Sequence, residues 1–138
     1  ARACELAVAA GGRAIPLAVS APFHCGLMSP AREALRRALD TAELRRPDFP
    51  VLANVDAEPK PTTAAVVEAL VEQVDHPVQW VRIIERLGAL GVTHALEIGP
   101  GRVLAGLARR IDKSLSVLSV GGIEAIDKVG AFLEGRQG

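Results

Sequence analysis

Three short stretches of the sequence hold the residue types that do chemistry. The first, Ser20-Ala21-Pro22-Phe23-His24-Cys25, leaves an apolar run and enters a proline-containing loop. A histidine on a loop at the end of a parallel strand stands where α/β enzymes place a general base, because such loops converge on the crevice at the sheet edge. The plain alternative is a histidine with no part in chemistry. Cys25 beside it suggests a thiol–imidazole pair, but neighbours in extended backbone point to opposite faces, and packing is the simpler role for this thiol. The second stretch, Glu97-Ile98-Gly99-Pro100-Gly101, joins a strand pattern to a helix pattern. Free amides at a helix start attract anions. The dinucleotide fingerprint would need glycine where Leu104 stands, and no GxxxxGK[ST] run occurs, so a tight structural turn is the expectation. The third, Gln73-Val74-Asp75-His76-Pro77-Val78-Gln79-Trp80, gathers polar groups at a helix break. Such a break exposes main-chain carbonyls that can orient a base; its alternative is a capped junction with Asp75 and His76 in solvent. No GxSxG elbow, HExxH motif or CxxC pair occurs. A base without a nucleophile is half of an active site.

The elements that must position these residues follow from periodicity. Ala3, Leu6, Ala7 and Ala10 recur at helical spacing before Gly11-Gly12, and 15–19 is a short apolar run suited to a buried strand. Ser29 as N-cap, with Pro30 at the first helical position, opens the clearest amphipathic helix, whose apolar face carries Ala31, Ala34, Leu35, Ala38, Leu39 and Ala42. A strand over 51–55 and a loop over 56–61 come next, then a helix capped by Thr62 or Thr63 with Val66, Val67, Leu70, Val71 and Val74 in one stripe. After His76-Pro77 the pattern predicts a helix over 78–90 stopped by Gly91, then a strand over 93–98. A helix with Val103, Leu104, Leu107, Ala108 and Ile111 inward, a strand over 115–120 and a last helix marked by Ile123, Ile126, Val129, Phe132 and Leu133 complete the chain. Short strands alternating with helices predict an α/β fold with a largely parallel sheet.

Composition narrows the field. At 138 residues the chain is about one domain long, and its 49% apolar content is the opposite of a disordered composition. With three Phe, one Trp and no Tyr, aliphatic side chains must fill the core. Sixteen basic residues balance sixteen acidic ones, which gives no electrostatic reason to expect nucleic acid. No run reaches the roughly 18 to 20 apolar residues of a membrane span, and no signal peptide is evident. Cys4 and Cys25 are too few for a disulfide scaffold, so a reducing, cytoplasmic setting is expected. The chain opens at Ala1 inside a helical pattern, without Met or cap, and is expected to be part of something longer.

Taken together and in order, these segments resemble a known family. Val19-Ser20-Ala21-Pro22-Phe23-His24-Cys25, then Asn54-Val55-Asp56, Gln73 with His76-Pro77-Val78-Gln79-Trp80, Gly91-Val92, and Glu97-Ile98-Gly99-Pro100-Gly101-Arg102-Val103-Leu104 with Gly106-Leu107 are similar to the C-terminal part of the malonyl-CoA:acyl-carrier-protein transacylases. The resemblance implies an α/β-hydrolase-like large subdomain with a mostly parallel sheet, interrupted by a ferredoxin-like insertion. Residues 1–19 would be the last helix and strand of the insertion, and 20–138 the C-terminal part of the large subdomain. It implies that His24 is the general base, that the Gln73 main-chain carbonyl orients it, and that Phe23, as in malonyl-type members, belongs to substrate binding. The activity implied is malonyl transfer from malonyl-CoA to the phosphopantetheine thiol of acyl carrier protein in fatty acid biosynthesis, by a Ser-His ping-pong route without a cofactor. The family's serine, its oxyanion-hole Gln and its malonyl-binding Arg have no counterpart in this sequence, so the isolated chain is expected to be inactive. Alternatives are an acyltransferase module of a polyketide synthase, or a non-catalytic fragment that docks carrier protein through Arg102, Arg109 and Arg110. A bared strand edge predicts self-association.

Overall fold

The computed structural model describes residues 2–16 and 19–135. Helix α1 spans Arg2–Ala9 and buries none of its side chains; the chain leaves it through Gly11 at φ 78°. Residues 12–16 form no strand. The expected strand over 15–19 is therefore not seen in its described part, and Leu17 and Ala18 lie outside the described residues. A strand needs a neighbour to take its backbone hydrogen bonds, and none of the described strands pairs with this segment.

Helix α2, Ser29–Asp40, follows a single 3-10 turn at Gly26–Met28. Ser29 is the first residue of the helix rather than its cap, which is Met28; the Ser29 hydroxyl shares one proton between the Gly26 carbonyl at 2.7 Å and Asp75 Oδ2 at 3.0 Å. Strands β1, Val51–Leu52, and β2, Pro59–Lys60, pair antiparallel. This shortens the strand expected over 51–55 and puts a strand at the end of the expected loop. Asp56 is the cause, because its carboxylate accepts from the Glu58 amide and the Lys60 ammonium and folds the intervening residues into a turn. Helix α3, Thr63–Glu72, starts as its sequence implies, with the Thr62 hydroxyl accepting from the Ala65 amide at 3.2 Å. It packs on α2, and the Arg36 guanidinium bridges to Glu68 with two bonds of 2.8 and 2.7 Å.

Helix α4, Trp80–Ala89, begins two residues later than the periodicity suggests. The Gln79 amide is already committed to the Asn54 carbonyl at 2.8 Å, which fixes Gln79 as the flanking residue. Strand β3, His94–Ile98, helix α5, Val103–Ile111, and strand β4, Ser116–Val120, form one βαβ unit. β3 and β4 run parallel, with His94 beside Ser116 and Ile98 beside Val120. Ile84 of α4, Ala108 of α5 and Leu115 make the core between these elements, with Trp80, Leu87, Val92, Ile111 and Val117 packed around them. The last expected helix is split: Ile123–Lys128 winds as a 3-10 helix before the short α6, Val129–Leu133. The β-branched Ile123, Ile126 and Val129 favour α-helix weakly.

The fold is α/β, as expected, but its parallel sheet among the described residues is a single pair of strands. The chain presents 10268 Å² to solvent, whereas a folded monomer of its 14.5 kDa presents about 6,900 Å². Large apolar residues are in contact with water, among them Ile98, Ile123, Leu27 and Phe49, each more than 70% exposed.

Candidate functional site

The loop that leaves 20 and enters α2 bends sharply at His24, whose φ is 58°. Histidine is one of the side chains that tolerates this left-handed region. Phe23 is 58% exposed. Cys25 turns its thiol back onto its own loop and donates to the Pro22 carbonyl at 3.2 Å, so it does not pair with the imidazole. The imidazole instead reaches across to the end of α3, where its Nδ1 lies 3.0 Å from the Gln73 main-chain oxygen. A carbonyl can only accept, so Nδ1 carries a proton, and in the neutral ring the lone pair then sits on Nε2.

Gln73 offers that carbonyl because α3 ends there. Its amide closes the last helical bond to Ala69, and its own oxygen is one of the acceptors a helix terminus leaves over. Of the polar groups that follow, Asp75 is drawn in while His76 stays exposed, its side chain 48% open to solvent. The Asp75 side chain is only 7% exposed and accepts from Ser29 Oγ at 3.0 Å and from the Arg32 guanidinium at 3.3 Å. His76 Nδ1 lies 2.8 Å from both Asp75 Oδ1 and the Glu72 carbonyl. Burial pushes the Asp75 carboxyl up, but the hydrogen bonds from Ser29, His76 and Arg32 outweigh it and hold the group below its ordinary value.

The Glu97 stretch is organised around its own carboxylate. Gly99 and Gly101 take φ values of 133° and 97° and fold the chain back. Glu97 then accepts from the amides of Leu104 and Ala105 at 2.9 and 3.1 Å, and from Ser119 Oγ at 2.8 Å. These are the first amides of α5, so the place a bound anion would take is filled from within. Burial raises the Glu97 carboxyl, and the bonds from Leu104, Ser119 and Ala105 bring it below its ordinary 4.5. Arg102 stands just before α5 and Arg109 and Arg110 in its last turn, all three exposed.

The structure therefore brings His24 and Gln73 together, leaves Phe23, next to His24 in sequence, in solvent, and turns the Cys25 thiol away onto its own loop. Sequence reasoning missed two roles. The local pattern places Asp75 only at a capped junction, and around Glu97 it points to the amides of the turn rather than to the carboxylate. A buried acid's partners lie 43 residues away in the case of Arg32, and no local spacing points to them.

No protein-family model matches the chain. The malonyl CoA-acyl carrier protein transacylase of Bacillus subtilis is 44% identical over 126 residues, which are 91% of this chain and 40% of that protein. The crystal structure of an acyl-carrier-protein-S-malonyltransferase from Bartonella henselae superposes with a TM-score of 0.86 at 43% identity, covering 97% of this chain and 43% of that one. A malonyl-transacylase solved in complex with the holo acyl-carrier protein of a type II PKS superposes with a TM-score of 0.83 at 44% identity, covering 92% of this chain and 41% of that one. The chain thus spans about two-fifths of the length of the curated relatives it matches. With identity above 40% across nine-tenths of its length and a backbone that superposes as closely, this chain is a homologue of the malonyl CoA-acyl carrier protein transacylases.

Proposed function

We propose that this chain is the C-terminal portion of a malonyl-CoA:acyl-carrier-protein transacylase and supplies its general base. The observation that carries the reading is the His24 Nδ1 to Gln73 carbonyl bond, which commits the neutral imidazole to the tautomer with a basic Nε2. In this reading a serine outside the chain gives its proton to Nε2 as its oxygen attacks the malonyl thioester carbonyl. The protonated imidazole then returns the proton to the departing coenzyme A sulfur, leaving malonyl-serine. In the second half the phosphopantetheine thiol of the carrier gives its proton to Nε2, its sulfur displaces the serine oxygen, and the proton returns to that oxygen. Phe23 borders the acyl group in this arrangement. The acyl carrier protein is the acceptor, as supported by the solved complex of a neighbour with such a carrier. Residues 1–19 belong to a small inserted subdomain and 20–138 to the large one; the exposed α1, which buries nothing, supports the division. The setting is cytoplasmic fatty acid synthesis. Because one neighbour serves a polyketide carrier, transfer to such a carrier is the second reading.

A hybrid tests the proposal: this chain joined to the N-terminal remainder of the Bacillus subtilis relative, assayed for malonyl transfer to holo carriers of both kinds. The hybrid is expected to transfer malonyl, the 138-residue chain alone is not, and His24→Ala in the hybrid should cost about 10² to 10⁴ in turnover. A His24→Ala hybrid that turns over at close to the parent rate contradicts the assignment. The preferred carrier decides between the two pathways.

A further inference from the structure

We propose that Asp75 is a positioning residue for His24, acting through the Gln73 carbonyl; the inference rests on the reading of His24 as the base. The His24–Gln73 bond joins segments 49 residues apart; Gln73 is tied to α3 through its amide, but nothing within either segment sets the distance between the two partners. His24 sits on an exposed bend in the left-handed region, and the Gln73 oxygen is a leftover acceptor at a helix end. One hydrogen bond between exposed groups competes with water and holds little by itself.

Asp75 couples the two segments. Ser29, five residues beyond His24, opens α2, and the 3-10 turn Gly26–Met28 between them is tied by the Ser29 hydroxyl to the Gly26 carbonyl at 2.7 Å, leaving little slack. Asp75, two residues beyond Gln73, receives that same hydroxyl on Oδ2, with Arg32 on both oxygens and His76 on Oδ1. The same His76 Nδ1 lies 2.8 Å from the Glu72 carbonyl, one residue before Gln73, so its one proton is shared between Asp75 and that carbonyl. A closed circuit results, from His24 through Ser29 and Asp75 to Gln73 and back. Its central carboxylate is 7% exposed, where charge-assisted bonds are strong. The Arg36–Glu68 bridge joins the same two helices, but it lies away from the His24 end and its Glu68 side chain is 58% exposed. It holds helices together without setting the position of either partner of the base.

This difference makes the test. The chain has three histidines, so magic-angle-spinning NMR of the 138-residue chain labelled with ¹⁵N at histidine, with assignment by single His substitutions, reads each ring's tautomer whatever the oligomer size. Wild-type His24 is expected as the Nδ1–H tautomer with a hydrogen-bonded proton. Asp75→Ala should largely lose that signal, Asp75→Asn and Ser29→Ala should weaken it, and Glu68→Ala should leave it unchanged while lowering the melting temperature. If Asp75→Ala does not fold, Asp75→Asn and Ser29→Ala decide. An unaltered His24 signal in the folded Asp75 variants, or an equal loss in Glu68→Ala, overturns the inference. An Nε2–H tautomer in the wild type instead overturns the reading of His24 as base.

Discussion

Gln73 contributes its main chain, and this separates two substitutions that look alike on a list of site residues. Removing its side chain leaves the acceptor in place, so Gln73→Ala in the hybrid should transfer malonyl within about threefold of the parent, far from the loss of 10² or more that general-base removal brings. A Gln73→Ala hybrid as slow as His24→Ala would mean that the side-chain amide, not the carbonyl, does the work. At this scale the sequence showed where to look but not how the groups meet. A histidine after a proline-containing run, and a polar cluster at a helix break, are visible as types and positions. That His24 adopts φ 58°, and so swings its ring to α3, depends on contacts 49 residues away.

Glu97 governs an element rather than a reaction. Its carboxylate closes the start of α5 and ties it to Ser119 of β4, so that strand, turn, helix and neighbouring strand share one anchor. The folded protein binds a proton here less readily than the unfolded chain does, because the folded pKa lies below the ordinary 4.5. Its stabilising contribution is therefore complete above that value and is lost as pH falls through the folded one. Glu97→Gln should lower the melting temperature at neutral pH, with the gap to wild type closing in acid. A gap independent of pH would show that shape, not charge, is what matters. Elements with strong local signals were legible: the Thr62 cap, the Gly91 stop and the βαβ unit stand where the pattern puts them. In the described part of the apolar run at 15–19 no strand is seen, because a strand depends on a partner strand and apolar content alone cannot supply one.

The whole molecule carries too much surface for its mass. About 3,400 Å² separates its 10268 Å² from the area of an ordinary folded monomer, and large apolar residues are among those exposed. That area exceeds what a standard protein–protein interface buries. Alone in solution the chain should associate: light scattering coupled to size exclusion is expected to give a mass above 14.5 kDa that rises with concentration. A monodisperse monomer at every concentration would contradict this. Joined to the remainder of a relative, the same surface should be covered and the base brought to its nucleophile. The central claim is tested most directly by mixing malonyl-CoA rapidly with the hybrid, without carrier protein, and following coenzyme A release. The account predicts a burst of about one equivalent per hybrid, slowed at least a hundredfold by His24→Ala; a burst of unchanged rate in that variant would contradict it.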